Sequence, residues 1–273
     1  MGQVFTWGDV RLGRIPKMDD FKLVAEKIKA TLSQEESVVA ALLFGSVVRG
    51  DFNIRSDLDC LVIYETDKEW AVAEVIYKLD SEARALHVPI NFTPSDTALA
   101  KTRLHHLGVT FLKHLESSIE AGGTIKGNLQ DLCVLRFSPK EEVEWYIRTK
   151  MYNLQESYLG MATFSEERIH SFLKKAYEAP IHVARKMLVY IGAPFCDSKA
   201  EVVRLYREKM PQELYKKLSF VRYIDDYYTK ELETQLEKPN ADTYAWEIGR
   251  LKTETPAVLE FLRANILWID SNS

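Results

Sequence analysis

Disulfide bonds and membrane spans are the first features that this sequence lacks. The chain of 273 residues has three cysteines, Cys60, Cys133 and Cys196, which lie far apart and form no C-x-x-C pair. This spacing indicates neither a disulfide framework nor a thiolate zinc site. No apolar run approaches the roughly 18 residues that a membrane span needs, and the residues before Pro16 contain no apolar block of a signal peptide. We therefore expect a cytoplasmic protein with no membrane partner.

A large excess of charge of one sign is also missing. The chain has 36 Lys and Arg against 40 Asp and Glu, a net charge of −4, which gives no global attraction for nucleic acid or an anionic membrane. Hydrophobic residues make up 46% and charged residues 28% of the chain. This composition excludes a disordered or low-complexity protein and predicts a globular chain with a substantial core.

The first ninety residues have the pattern of a mixed α/β domain. Short, continuous apolar runs predict strands that are buried on both faces, and apolar residues spaced by three and four predict helices. The predicted order is helix 19–32, strand Val38–Phe44, strand Leu58–Tyr64, helix 68–86 and strand Val88–Phe92.

Helical patterns dominate from Ser95 onwards. One long pattern runs from Ser95 to Glu120 and is broken by Gly122 and Gly123, with a short strand possible at 133–137. Asp96, at the start of this pattern, is predicted to be a helix cap.

Capping signals divide the last half of the chain into about five helices. A serine or threonine followed three residues later by glutamate predicts a helix start, glycine before proline predicts a stop, and proline predicts a new first turn. The predicted starts are Ser138 with Glu141, Thr163 with Glu166, Ser198 with Glu201, Pro211 and Thr255-Pro256, with a stop at Gly192. We therefore predict an α+β fold, with residues 1–125 forming a mixed sheet flanked by helices and residues 126–273 forming a helical bundle.

The stretch between the first two predicted strands carries the chemistry. Gly45 ends a buried strand and allows a ligand to approach the backbone, and Ser46 opens a short helix whose free amides suit a phosphate. Asp57 and Asp59 stand two residues apart at the start of the next strand, so both side chains point to the same face and can share divalent cations.

Two neighbouring residues complete this stretch. Arg49 lies about one helical turn beyond Ser46, where its guanidinium can meet a phosphate oxygen. Gly50 allows the sharp exit that returns the chain towards the second strand. Either half of the stretch alone is common in proteins, because a lone Gly-Ser is often a turn and a lone Asp-x-Asp is often a solvated strand entrance.

The combination resembles the G-S-x10-D-x-D signature of the DNA polymerase β-like nucleotidyltransferase superfamily. It is similar to the R-G-x5-S-D-x-D form of the antibiotic- and toxin-type members, and the resemblance covers 38–92, about a fifth of the chain. The resemblance implies Mg²⁺-dependent transfer of a nucleoside monophosphate from a nucleoside triphosphate, ATP being the first choice, to a hydroxyl with release of pyrophosphate. By this resemblance Gly45 and Ser46 hold the triphosphate, with Arg49 as a further nucleotide contact, and Asp57 and Asp59 are the catalytic residues and metal ligands.

One position departs from this family pattern. Family members usually carry a third carboxylate on the next strand, in the order apolar, Asp, apolar, and the matching residue here is Asn91. An amide offers a neutral oxygen to a metal or nucleotide but supplies no negative charge and accepts no proton as a base. The alternative function is therefore a non-catalytic nucleotide-binding or regulatory protein.

The sequence motif does not identify the acceptor of the nucleotidyl group. A small cationic molecule is favoured by the acidic balance of the chain, and an RNA or protein acceptor remains an alternative. Glu141 and Glu142 are candidates for the missing general base, although the capping box already explains Glu141. Structural or surface roles are expected for two further groups, the histidines His105, His106 and His114 and the acidic pair Asp225 and Asp226.

Overall fold

The computed structural model describes residues 9, 12–54, 56–102, 108–128, 138–222 and 243–272. These residues divide into two compact units, the first containing 14–128 and the second containing the described residues from 138 onwards. The domain boundary predicted at 125/126 stays a prediction, because residues 129–137 are outside the described ranges. Other sequence-based predictions that fall outside them concern Cys133, the strand at 133–137, His105, His106, Asp225 and Asp226.

The first unit is built on a mixed four-stranded sheet in the order β3-β2-β1-β4. β1 pairs antiparallel with β2 and β4, and β2 pairs parallel with β3. This arrangement confirms the predicted α+β class. The elements are α1 Met18–Gln34, β1 Val38–Phe44, α2 Ser46–Arg49, β2 Leu58–Tyr64, α3 Glu69–Ala85, β3 Ile90–Asp96, α4 Thr97–Thr102, α5 Val109–Glu120 and β4 Thr124–Lys126.

Both faces of this sheet are covered, which explains the continuous apolar runs of β1 and β2. Helices α1 and α3 pack on one face through residues such as Phe21 and Leu79. On the other face, Leu42 and Leu61 pack against Leu115 of α5. A strand covered on both sides has no polar face, so its sequence does not alternate.

The predictions for the region after residue 88 were partly wrong. β3 runs from Ile90 to Asp96, further than the predicted strand, and it includes Pro94. Since β3 is an edge strand of the described sheet, a proline costs it no ladder bond on the open side. The single helix predicted over 95–120 is also wrong, because Ser95 and Asp96 lie in β3 and Gly108 is extended at the start of α5.

Asp96 is a helix cap, as predicted. Its carboxylate accepts a hydrogen bond of 2.7 Å from the backbone amide of Leu99. The first turn of a helix leaves amides without intrahelical partners, and a capping carboxylate satisfies one of them.

The second unit is a helical bundle, as predicted, with five helices longer than one turn among its described residues. A buried apolar cluster fills its centre and includes Ile147, Tyr177, Tyr206 and Phe261. Within the described ranges, no helix combines the length and the apolarity needed to cross a membrane. The elements are α6 Pro139–Gly160, a 3-10 turn Met161–Thr163, α7 Glu166–Tyr190, α8 Lys199–Lys209, α9 at 212–222 and α10 Thr243–Ser271.

Two of the predicted capping sites are confirmed. Ser138 and Glu141 form a reciprocal capping box at the start of α6, with Pro139 at its first position. The Ser198 hydroxyl accepts from the amide of Glu201 at the start of α8.

Two other predicted helix starts are wrong. Ser165 caps α7, whereas the Thr163 hydroxyl donates to the carbonyl of Gly160 at the end of the preceding helix. Pro256 lies inside α10 instead of at its start. A proline inside a helix removes one backbone bond, and the packing of α10 against both α6 and α7 offsets that loss.

Candidate active site

Gly45 joins β1 to the one-turn helix α2 in a conformation that only glycine tolerates. Its φ of 86° and ψ of −159° are in a region essentially closed to other residues. A Cβ atom at this position would lie 2.8 Å from Oδ2 of Asp59. The backbone at Gly45 and the Asp59 carboxylate therefore approach each other closely, as the predicted site requires.

The turn of α2 reverses the chain over a few residues. Gly50, with a φ of 81°, ends the helix, and its amide donates to the Ser46 carbonyl at 2.9 Å. The amide of Asp51 donates to the same carbonyl at 3.1 Å. The predicted role of Gly50 as the residue that permits this exit is thus confirmed by its backbone.

A serine that the sequence analysis did not single out links the two halves of the motif. The Ser46 hydroxyl donates to Oγ of Ser56 at 3.2 Å, and the same Ser56 oxygen accepts from the amide of Asn53 at 2.9 Å. Ser56 directly precedes Asp57, so this bond connects the turn after β1 to the start of β2. The serine before the Asp-x-Asp pair was the available signal in the sequence.

Asp59 is on β2, an interior strand of the sheet, and has a residue of a neighbouring strand on each side. It is opposite Phe44 on β1 and opposite Asn91 on β3. The Asn91 amide nitrogen donates to Oδ1 of Asp59 at 2.8 Å. Since an ionised carboxylate only accepts hydrogen bonds, this contact directs the amide NH₂ group of Asn91 towards Asp59.

The carboxylates of Asp57 and Asp59 are close enough for the charge of one to act on the pKa of the other. Asp57 is only 8% exposed. Burial and then the charge of Asp57 raise the pKa of Asp59 to about 6, while the hydrogen bond from Asn91 and the charge of His114 act in the opposite direction. A cation beside two such carboxylates favours their ionised forms and relieves the repulsion between them.

His114, for which a structural or surface role was expected, lies near this site. Its ring packs edge-on against Phe44, with centroids 5.6 Å apart, and also against Phe111. Because Phe44 is the cross-strand neighbour of Asp59, His114 on α5 covers the face of the sheet that carries the carboxylate. The signal was its spacing of three residues after Phe111 on the apolar stripe of α5.

Arg49 is the last residue of α2, and a nearby carboxylate pairs with its charge. Its guanidinium forms an ion pair with Asp51 at 3.1 Å and is 19% exposed. The two candidates for a general base are also engaged in contacts, since Glu141 closes the capping box with Ser138 and Glu142 pairs with Lys186.

The donor set of the site suits a hard cation. Two aspartates contribute carboxylate oxygens, the ligand type that Mg²⁺ prefers, and Mg²⁺ commonly takes only one or two protein carboxylates together with water and phosphate oxygens. Among the residues that the structure describes, no group of three or more His, Cys, Asp and Glu side chains forms a metal site. The pair Asp57 and Asp59 therefore fits a metal that a nucleotide helps to bind.

The match to a family model agrees with the local geometry. Residues 26–103 match the family model described as polymerase beta, nucleotidyltransferase. A spectinomycin adenyltransferase from Enterococcus faecialis, solved with ATP and spectinomycin, aligns with 89% of this chain and 99% of its own at 15% identity and a TM-score of 0.48. No curated protein gives a significant match to the chain. By the family match, which contains Gly45, Asp57, Asp59 and Asn91, residues 26–103 belong to the polymerase β-like nucleotidyltransferase superfamily.

Proposed function

We propose that this chain is a Mg²⁺-dependent nucleotidyltransferase that moves a nucleoside monophosphate from a nucleoside triphosphate to a hydroxyl and releases pyrophosphate. Nucleotidyl transfer in general is supported by the family match. The finer proposal depends on one observation, the close approach of the Asp59 carboxylate to the backbone at Gly45. A phosphate held by the amides after Gly45 would lie next to the carboxylates of Asp57 and Asp59, which would hold the cation that offsets its charge.

In this proposal each residue of the turn has a separate task. The backbone at Gly45 and Ser46 holds the triphosphate, and the Ser56 hydroxyl keeps the Ser46 side chain in place. Arg49 contacts a phosphate oxygen by exchanging its pairing with Asp51. When bound by Asp57 and Asp59, Mg²⁺ would neutralise phosphate charge and polarise the α-phosphorus.

Asn91 is proposed to orient Asp59. Its amide nitrogen donates to Oδ1 and so leaves Oδ2, the oxygen that lies nearest to Gly45, directed towards the phosphate side. An aspartate at this position would add a third negative charge next to a carboxylate whose pKa is already raised. This assignment makes Asn91 a positioning residue and leaves the general base to another group.

We further propose a small hydroxyl compound with positive charge as the acceptor. The net charge of −4 and the two carboxylates of the site favour a cation over RNA. ATP is the first nucleotide to test. A second candidate function, nucleotide binding without turnover, is favoured by the amide of Asn91 at the position of the third carboxylate.

The test is thermal unfolding of the full chain with each of the four common nucleoside triphosphates, with and without Mg²⁺. A ligand at a hundred times its dissociation constant stabilises the protein by about 2.7 kcal/mol, which corresponds to a rise in Tm of several degrees. We expect a Mg²⁺-dependent rise that Asp57→Asn/Asp59→Asn abolishes. The matched control is Asp19→Asn/Asp270→Asn, which changes two exposed aspartates outside the motif and should keep the rise.

Pyrophosphate release separates the two candidate functions. Release with a hydroxyl acceptor supports the transferase. Nucleotide binding without release from any acceptor, together with activity gained in Asn91→Asp, supports the non-catalytic alternative. The absence of a rise in Tm with every triphosphate contradicts both.

A further inference from the structure

Three large apolar side chains lie exposed along one line of α6. Trp145, Tyr152 and Leu159 are 64%, 65% and 82% exposed. They are spaced by seven residues, about two helical turns, so they share one face of the helix. We call this surface the α6 stripe. A single exposed apolar residue needs no explanation, whereas an aligned group of them marks an interaction surface.

The opposite face of α6 is already covered by the second unit. Val143, Ile147 and Leu154 are buried in the apolar cluster of the bundle. The α6 stripe is therefore a second apolar face, on the side of the helix that points away from this core. Apolar residues on both faces are typical of a helix that is covered on both sides.

Exposed polar residues lie between the apolar residues of the stripe. They are Arg148, Gln155 and Glu156. Each residue of an α-helix advances the chain by about 100° around the axis. Arg148 and Glu156, four residues before and four after Tyr152, therefore lie about 40° to either side of it. The stripe thus has one positive charge before its centre and one negative charge after it.

The order of residues along the stripe is complementary to itself in the reverse direction. Two antiparallel copies of α6, related by a two-fold axis at Tyr152, bring residues that are equally distant from Tyr152 to the same height. Trp145 then faces Leu159 of the second copy, and Tyr152 faces its own counterpart. Every apolar residue of the stripe therefore meets another apolar residue.

The charges of the stripe match in the same arrangement. Arg148 lies at the height of Glu156 of the second copy, and the two-fold symmetry repeats this contact. A parallel arrangement would instead place Arg148 beside Arg148 and Glu156 beside Glu156, so the charges select the antiparallel one. Within its own chain Arg148 approaches Asp270 at 3.9 Å, and both side chains are more than half exposed. Such a surface contact is weak enough to be exchanged for another carboxylate.

We propose that a second copy of this chain covers the α6 stripe and forms an antiparallel, two-fold symmetric dimer through α6. The three apolar side chains offer on the order of 400 Å² per copy, against about 800 Å² per partner in a standard interface. The dimer is therefore weak, with a Kd in the micromolar range. The contact uses the second unit of each copy and does not depend on the carboxylate pair of the first unit.

Analytical ultracentrifugation of the full chain tests the proposal. Between about 1 μM and about 500 μM the mass should rise from that of a monomer towards that of a dimer. Tyr152→Ala removes the central aromatic residue from both copies and should raise the dimer Kd by at least about tenfold. Tyr77→Ala is the matched control, because Tyr77 is a similarly exposed tyrosine on α3 of the first unit. A monomer at every concentration, or equal effects of the two substitutions, would overturn the proposal.

Charge reversals test the antiparallel order of the stripe. Arg148→Glu places two glutamates at each charged contact, and Glu156→Arg places two arginines there. Each variant alone should dimerise about tenfold more weakly, since two attractive pairs become repulsive. An equimolar mixture of the two variants should recover the dimer, because every glutamate then faces an arginine. A mixture that dimerises no better than either variant alone would show that the antiparallel contact is wrong.

The dimer and the proposed transferase are tested separately. Sedimentation is measured without nucleotide, and Asp57→Asn/Asp59→Asn should dimerise as the native chain does. A failure of nucleotidyl transfer therefore leaves this inference standing. The charge reversals also keep the proposal open to disproof if Tyr152→Ala is unstable, because only folded chains can recover the dimer on mixing.

Discussion

Each of the two units brings two like-charged groups close together, carboxylates in the first unit and ammonium groups in the second. In the first unit, Asp57 and Asp59 are held close together, and burial raises the pKa of Asp59 to about 6. In the second unit, Lys150 and Lys186 share one aromatic ring, and burial lowers the pKa of both lysines. Burial disfavours the charged form in each case, so the direction of the shift depends only on the sign of the group.

The two regions differ in what holds their charges in place. The acidic pair depends on backbone geometry, because the positive φ of Gly45 and the register of β2 against β3 bring Asp59 next to its neighbours. The lysines on α6 and α7 depend on helical periodicity and on the buried ion pair of Lys186 with Glu142. We therefore expect backbone substitutions to damage the first region and charge substitutions to damage the second.

The largest expected effect on stability is in the second unit. Glu142→Ala leaves the Lys186 ammonium buried without its carboxylate, and the loss of one partner of a buried ion pair costs about 3 kcal/mol. Glu141→Ala, one residue earlier, removes only the exposed partner of a capping box and should cost about 1 kcal/mol. Urea denaturation measures both, and equal costs would contradict the idea that the buried ion pair stabilises the contact between α6 and α7.

A smaller effect is expected from the backbone at the first site. Gly45→Ala places a Cβ 2.8 Å from Oδ2 of Asp59 in a strained conformation, so we expect a loss of about 2 kcal/mol and of Mg²⁺-dependent nucleotide binding. Gly192 also has a positive φ, of 73°, but its Cβ would meet nothing within 4 Å. Gly192→Ala should therefore cost about 1 kcal/mol and leave nucleotide binding intact. If Gly45→Ala still binds the nucleotide, the site does not need the backbone conformation of Gly45.

The last expected effect is the pH dependence of the acidic pair. The pKa of Asp59 is higher in the folded chain than its ordinary value of 3.8. Its contribution to stability is therefore fully present below about pH 4 and is lost as the pH rises through about pH 6. Asp59→Asn removes this titration, so from pH 4 to pH 6 the free energy of unfolding of the variant should rise by about 2 kcal/mol relative to that of the native chain.

Magnesium provides the control for this prediction. Mg²⁺ should reduce the loss above pH 6 in the native chain, because a bound cation offsets the repulsion between the carboxylates. Asp59→Asn should not respond in the same way. Parallel pH profiles of the two proteins, measured by urea denaturation without Mg²⁺, would show that Asp59 does not titrate in this range.

Local signals predicted much of the site because its parts are close together in the chain. Gly45 directly follows β1 and Asp59 is on β2, the next strand in the chain, so the spacing of the motif is enough to predict that they meet. The capping boxes at Ser138 and Ser198 were predicted for the same reason, since each involves residues of a single helical turn. The prediction of a helix start at Thr163 was wrong because Ser165, two residues further along, caps α7 instead.

Contacts between distant residues required the tertiary structure. Asn91 reaches Asp59 only because β3 pairs with β2 in parallel and in one register. The position of His114 depends on how α5 packs on the sheet.

The sequence alone determined the α+β class, the nucleotidyltransferase motif and most helix starts, because these depend on the periodicity and conformational preferences of neighbouring residues. Only the tertiary structure decided which polar side chains meet across the sheet and between α6 and α7. The physical reason is that strand register and helix packing are set by the burial of whole faces. A short stretch of sequence does not show which faces will be buried against each other.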